Sequence, residues 1–384
     1  MKTACDYLVV GAGLFGAVVA ERLASQTGRT VLVIDRREHT GGNCRSEVDA
    51  ATGIEFHRYG PHVFHTSDAG AWDYLQAFTG FTSYRHRVLA RVGKRSFPIP
   101  INLATINAFF GRTFTAAEAQ ACIASRTQPP PAGVPANFEE QALATIGREL
   151  YEAFFAGYTR KQWGREPREL PAEIFSRLPL RFDSCPDYFP ACRWQGLPVD
   201  GYAALFDRLL AHPLISVATG VEYAAIRPHV AVRRRTVYTG APDEFFDHCL
   251  GRLEWRSVRF ERDIVPVADY QQLATVNYPD PEVPHTRVHE PRHFHPERAY
   301  PAAAGRSVII HEYPCVDPDN PCYPVRTPDN LDLFGQYCSL ARREAPEVVF
   351  GGRLGSFAYL DMDKTVAAAL RCAALLATDD RSPA

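Results

Sequence analysis

The stretch Asp6–Asn43, DYLVVGAGLFGAVVAERLASQTGRTVLVIDRREHTGGN, decides how the rest of the chain is read. It opens on Tyr7-Leu8-Val9-Val10, an apolar, β-branched run of the length of a buried strand. Gly11, Gly13 and Gly16 follow in G-x-G-x-x-G spacing, and an amphipathic segment runs from Leu14 to about Gln26. A second apolar run, Val31 to Ile34, ends in Asp35. Each glycine has a mechanical task. Gly11 makes the tight turn, Gly13 admits a pyrophosphate to the backbone, and Gly16 lets helix and strand pack closely. The helix N-terminus adds free N–H groups and a positive dipole end. Asp35, about 20 residues on, stands where a carboxylate takes ribose hydroxyls. Strand, glycines, helix, strand and acid in that order predict a dinucleotide site. Glycines that merely end a strand explain neither the spacing nor the acid.

Shortly after the acid come Gly41-Gly42-Asn43, which resemble the second flavin signature of FAD-dependent oxidases and their relatives, and favour FAD over NAD. At 384 residues the chain exceeds what one core usually serves, so two or three subdomains are expected. A net charge of -2 gives no reason to expect nucleic acid or an anionic membrane as partner. The longest late apolar run, Val366 to Ala377, is broken by Arg371 and too short to span a bilayer. No cleavable signal is expected, because Leu8 to Val10 belong to the dinucleotide strand. The ten cysteines form no C-x-x-C and no repeating framework. Cys185/Cys192 and Cys315/Cys322 are close enough in sequence to bridge, but reduced thiols in a cytoplasmic protein are expected.

Further along, alternation from Val88 to Phe97, broken at Gly93-Lys94, predicts a β-hairpin. Ile101 to about Arg177 turns helical, with Thr115/Glu118 and Asn137/Glu140 as capping pairs and the second helix running to about Ala156. Strands are expected over Leu253–Phe260, Leu273–Tyr278 and Ser307–Tyr313, and a helix over Tyr202–Leu210. The C-terminal end repeats the opening grammar: Val348-Val349-Phe350, then Gly351-Gly352-Arg353, then a helix over Met362–Leu376. The chain is therefore expected to return to the cofactor domain and close it.

The helix from Asn137 ends in Phe154-Phe155-Ala156-Gly157-Tyr158-Thr159-Arg160-Lys161-Gln162-Trp163-Gly164, where aromatics beside cations can stack a base or sugar. An ordinary helix end, with Arg160 and Lys161 answering the dipole and Trp163 packing below, accounts for the same residues.

Over nearly its whole length the chain resembles bacterial UDP-galactopyranose mutases. The motifs are Val10-Gly11-Ala12-Gly13-Leu14-Phe15-Gly16-Ala17, Tyr59-Gly60-Pro61-His62-Val63-Phe64-His65-Thr66, Gly157–Gly164, Glu169-Leu170-Pro171-Ala172, Gln195-Gly196-Leu197-Pro198, Tyr313-Pro314, Tyr323-Pro324-Val325 and Phe350-Gly351-Gly352-Arg353-Leu354. The resemblance implies an α/β protein: a discontinuous Rossmann-like FAD-binding domain (1–80, 198–242 and 320–384), a helical-bundle insertion (98–178) and an antiparallel β-sheet domain (81–97, 179–197 and 243–319). It implies redox-neutral interconversion of UDP-galactopyranose and UDP-galactofuranose by reduced FAD, through a flavin N5–sugar C1 adduct and an iminium. A separate flavin reductant and a homodimer go with it.

Carried over by position, Arg177 and Arg287 match diphosphate arginines, whose guanidinium forks suit phosphate oxygens. Tyr188, Tyr313 and Tyr359 match phosphate-binding hydroxyls. Asp361 matches an acid near the sugar, and it can also cap the helix that follows. Phe154, Tyr158, Thr159, Trp163 and Asn277 match uridine and sugar contacts. On the flavin side stand Gly11, Gly13, Phe15, Gly16, Asp35, Arg36, Gly42, Asn43, Arg256, Arg353 and Met362, with His62 beside the isoalloxazine ring.

No metal is expected. His285, His289, His293 and His295 have ligand-like spacing, but Pro284, Pro291 and Pro296 preclude the helix that would align them. Departures from the family pattern fall at Asp200, His285, Tyr278-Pro279 and Asp363, and they bear on which sugar is taken. The same ring chemistry on another nucleotide-linked hexose, a flavin oxidase on the same cofactor fold, and a sugar-nucleotide binder without turnover are the competing expectations.

Overall fold

Thr3–Val10 is the middle strand of a five-stranded parallel sheet. The computed structural model describes residues 3–177 and 179–381, with the side chains of 3, 176, 177 and 379–381 outside the description. Val31–Asp35 and Val230–Tyr238 flank the central strand, and Ile215–Thr219 and Val348–Phe350 form the edges. Every residue of Val31–Asp35 is buried, as a strand covered on both faces requires. Parallel neighbours cannot be joined by tight turns. The chain leaves this sheet after Asp35, returns at Ile215, leaves again after Tyr238 and returns at Val348. The two excursions build everything else. Helix Leu14–Thr27 covers one face and packs against helix Met362–Arg381, with Ala17, Ala20, Ala24, Ala369 and Ala373 all buried. Small side chains there let the first and last helices approach closely.

The second sheet runs in the order Tyr323–Pro324, Trp255–Val265, Ser307–Cys315, Arg287–His289, Thr275–Asn277, Val88–Val92, Arg95–Ile99. The expected hairpin is present, with Val88 opposite Ile99 and Val92 opposite Arg95. One join departs from the antiparallel expectation: Thr275–Asn277 runs parallel to Val88–Ala90. A hairpin forces antiparallel pairing, whereas between these strands the chain makes the helical insertion, returns to the first sheet and lays down Trp255–Val265, which leaves the direction free.

That insertion comprises helices Leu103–Phe110, Ala116–Ala124, Phe138–Tyr151 and Gly157–Trp163. Thr115 and Glu118 form the expected reciprocal capping box. Asn137 accepts from Glu140 N–H at 3.0 Å, while the Glu140 carboxylate takes Ala136 N–H and the Asn137 side-chain amide rather than the backbone N–H of the cap residue. The helix beginning there is not continuous to Ala156. Gly147 has φ 76, and a Cβ on it would lie 2.7 Å from the Arg126 carbonyl. Glu152–Ala156 then widens into a π-type turn, a device frequent at functional sites. Among the described residues no helix is long and apolar enough to cross a membrane.

Candidate functional site

Two clefts meet at the C-terminal ends of the parallel strands. The first, about 220 Å³, follows the glycine turn and is lined by Gly11, Gly13, Phe15, Gly16, Asp35, Arg36, Gly42 and Asn43. Its shape is set by backbone. Gly11 has φ +104, and a Cβ on it would meet Thr239 Oγ1 at 1.9 Å. A Cβ on Gly16 would meet the Gly11 carbonyl at 2.0 Å, and one on Gly42 would meet Gly13 Cα at 2.9 Å. Only hydrogens fit between these chains, so the cradle presents peptide groups to whatever occupies it. Asp35 accepts from Ala12 N–H at 2.7 Å and from Arg37 N–H at 2.8 Å. Each carboxylate oxygen keeps a second lone pair for a ribose hydroxyl. Arg36 pairs with Glu244 at 3.4 Å and reaches the Asp319 carbonyl at the rim. The residues present fit a dinucleotide.

The second cleft, about 500 Å³, has a sheet for a floor. Residues directly opposite across strands share a face. Ala90 lies opposite Asn277, Asn277 opposite Arg287, Arg287 opposite Glu312, and Glu312 opposite Phe260. All five line the cleft. Arg287 donates from Nε to Tyr158 Oη at 2.8 Å and pairs with Glu312 at 3.7 Å. Glu312 is buried and also bonded to His289 Nε2 at 3.0 Å. Burial alone would raise its pKa, but Arg287 and the His289 bond outweigh it and hold the carboxyl below its ordinary value. Burial pushes His289 down, so the neutral ring donates Nε2–H to Glu312 and takes the Thr275 hydroxyl at Nδ1, 3.2 Å away.

One wall is the helical segment after Tyr151. Phe154/Phe155, Tyr158/Thr159 and Gln162/Trp163 recur every four residues, and all six line the cleft. The π-type turn carries the first pair into line with the other two. Gln162 Oε1 is buried there without a hydrogen-bond partner among the described residues. Tyr188, Tyr323, Tyr359 and Asp361 complete the lining. The Tyr323 and Tyr359 rings stack at 5.4 Å, and the Arg353 guanidinium lies 5.6 Å from each centroid.

Asn43, His62, Arg353 and Met362 line both clefts and mark where they join. The His62 backbone N–H donates to His57 Nδ1 at 2.9 Å, and its own Nδ1 lies 2.7 Å from the Gly60 carbonyl. A carbonyl only accepts, so Nδ1 carries the proton and Nε2 is the free acceptor. Burial pushes the pKa of His62 down to about 4, which leaves it neutral at neutral pH.

Of the residues singled out in the sequence, most come together here, two do not, and one is not described. The Arg177 side chain lies outside the described residues. Tyr313 is adjacent to Glu312 on one strand, and side chains alternate, so it faces away from the cleft, under the Arg259 guanidinium 4.5 Å from its ring. Arg256 lines neither cleft. It donates from Nε to the Gln162 carbonyl at 3.0 Å and from Nη2 to that of Lys161 at 3.3 Å, and so caps the end of the aromatic helix. The four histidines separate: His289 joins Glu312, His293 meets Asp269 and Glu290, His295 meets Glu297, and His285 packs on Tyr278. Asp269, Glu290 and His293 converge closely enough for a metal, but Glu290 already accepts from Tyr270 N–H, Gln271 N–H and the Ser307 hydroxyl.

Tyr323, Gln162, His86 and Glu312 line the cleft without having been singled out. Strand parity on Ser307–Tyr313 carried a signal for Glu312 over Tyr313. Nothing local marks His86. Among the departures, Asp200 pairs with Arg208, and Asp363 takes the Thr66 hydroxyl at 3.1 Å.

Comparison with known proteins agrees with this geometry. A family model for UDP-galactopyranose mutase matches residues 153–359, and one for an NAD(P)-binding Rossmann-like domain matches residues 9–78. A Klebsiella pneumoniae protein named a probable UDP-galactopyranose mutase is 42% identical over 370 residues, covering 96% of this chain and 94% of that one. The dTDP-fucopyranose mutase of Escherichia coli is 38% identical over 374 residues, covering 96% and 97%. Among solved structures, a reduced UDP-galactopyranose mutase superposes with a TM-score of 0.72 at 14% identity, covering 97% of this chain and 93% of that one, a likeness of fold.

Proposed function

The chain belongs to the UDP-galactopyranose mutase family, and on that footing we propose that it interconverts the pyranose and furanose forms of UDP-galactose, using FAD in its reduced state with no net redox change. The observation that carries this reading is the junction of the two clefts at Asn43, His62, Arg353 and Met362. A nucleotide sugar gripped by Arg287 and the aromatic helix can there deliver its anomeric carbon to a cofactor in the glycine cradle. Bound and reduced, FAD supplies a nucleophilic electron pair for that carbon, the chemistry a ring contraction without oxidation needs.

The protein's own residues do the placing. Arg287 stays charged and faces the departing diphosphate. Its Nε is occupied by Tyr158 and its Nη1 lies on the Glu312 side, which leaves Nη2 for phosphate oxygens. Tyr188, Tyr323 and Tyr359 supply hydroxyls to the same oxygens, with Asp361 near the sugar. Phe154 and Trp163 flank the base, Asn277 takes a sugar hydroxyl, and Gln162 Oε1 offers an acceptor to an N–H of the base. His62, held neutral, presents Nε2 to the cofactor as an acceptor without adding a second positive charge beside Arg353.

The same ring chemistry on another nucleotide-linked hexose is the second reading, favoured by the 38% identity to dTDP-fucopyranose mutase over 96% of this chain. One assay addresses both. Dithionite-reduced protein, given UDP-galactofuranose and a panel of other nucleotide hexoses, should yield the corresponding pyranoses, while the oxidised protein stays silent. Turnover of another sugar alone overturns only the substrate. Stoichiometric consumption of oxygen or NADPH without an isomerised product overturns the mutase reading.

A further inference from the structure

Lys161 ends inside a ring of backbone carbonyls. Its ammonium donates to Tyr278 O at 2.6 Å, Val283 O at 2.8 Å, Asp280 O at 2.9 Å and His285 O at 3.1 Å. An ammonium has three N–H groups, so four acceptors surround it as they would a bound monovalent cation.

The sequence of the ring explains it. Tyr278-Pro279-Asp280-Pro281-Glu282-Val283-Pro284-His285 carries three prolines, which have no N–H. The loop closes one turn of its own, Val283 N–H to Asp280 O at 3.2 Å, and its other carbonyls must find donors elsewhere. Lys161 supplies them from a different domain segment. The approach is tight: a Cβ on Gly157 would lie 2.3 Å from the Pro279 carbonyl. Burial pushes the Lys161 pKa down to about 8, with Asp280 and Glu282 opposing that shift. A side chain that only answered the helix dipole would face solvent instead.

The loop joins the strand ending in Asn277 to the strand beginning with Arg287. Lys161 sits on the helix carrying Tyr158, Thr159, Gln162 and Trp163. We propose that Lys161 is a positioning residue: its carbonyl cage sets the separation between the aromatic helix and the strands bearing Asn277 and Arg287, so that base and diphosphate are gripped together. The inference rests on the nucleotide-sugar reading.

The test uses the full-length flavoprotein. Lys161→Ala should retain flavin and its spectrum, yet raise KM and weaken UDP binding by at least ~10-fold, with kcat at saturation falling less than KM rises. Adding n-butylammonium should restore UDP binding, because it returns N–H donors to the cage. Tetramethylammonium, a cation without donors, should not. Wild-type affinity and KM in Lys161→Ala would overturn the inference, as would equal rescue by both cations. Absence of binding of both UDP and dTDP by the unmodified protein would instead sink the nucleotide-sugar reading, and this inference with it. If the alanine variant does not fold, the wild-type protein still decides. Acylation by an N-hydroxysuccinimide ester should modify exposed Lys94 and Lys364 readily and Lys161 slowly, and UDP should slow Lys161 further, since ligand and cage stabilise the same arrangement. Equal Lys161 rates with and without UDP would overturn it.

Discussion

The glycine cradle and the sugar cleft adjoin, yet they are built in opposite ways. The cradle is centred on backbone from one continuous stretch, closed over by later segments such as Thr239 and Arg353, and its dimensions follow from side chains that are missing at Gly11, Gly16 and Gly42. The cleft is made of side chains from distant segments: Ala90, Tyr158, Asn277, Arg287, Glu312, Tyr323 and Tyr359. A backbone site is intolerant of any added atom. A side-chain site loses function in increments, residue by residue, and can be retuned without losing the fold.

The contrast can be broken from either side. Its largest expected effect lies in the cradle. Gly16→Ala places a methyl 2.0 Å from the Gly11 carbonyl, and backbone cannot swing aside as a side chain can. Destabilisation of ~3 kcal/mol, the upper end of what overpacking usually costs, is expected, with little or no flavin co-purifying. Flavin absorbance against protein and a melting curve check it; a normally loaded, stable variant would mean the cradle is softer than its geometry.

Next is the cleft's cation. Arg287→Ala should keep flavin but lower turnover at least ~100-fold, since losing one transition-state donor costs ~2.7–4 kcal/mol. Steady-state kinetics under reducing conditions decide, and near-normal rates would remove Arg287 from the reaction. The smallest effects sharpen the comparison most. Tyr323→Phe should lower kcat/KM ~10-fold, the loss of a hydrogen bond to a charged group. Tyr313→Phe should stay within about twofold of wild type, because its hydroxyl is on the far face of the sheet. Reversed magnitudes would show that the strand turns its other face inward when substrate binds.

The same contrast explains what could be read in advance. Asp6–Asn43 was legible because each requirement of the cradle is local: a turn needing φ > 0 at Gly11, a close contact at Gly16, an acid at the next strand's end. The capping pair Thr115/Glu118 was legible for the same reason. Tyr313 was expected as a phosphate-binding group and Arg256 as a flavin contact, both carried over by position from the family, and the packed structure turned one across the sheet and spent the other on a helix end. Lys161 looked like a terminal charge because nothing local reveals a loop more than a hundred residues later whose three prolines have no N–H to offer.

Local chemistry along the chain was thus enough for the cofactor fold, the strand and helix grammar and the aromatic segment, since these depend on neighbours a few residues apart. Which side chains meet across the floor depended on register. Asn277, Arg287 and Glu312 fall in one row only because three strands from separate stretches pair as they do, and a one-residue slip would exchange Glu312 for Tyr313. Pairing between remote strands is settled by the burial of whole faces, a property of the assembled molecule that no short stretch contains.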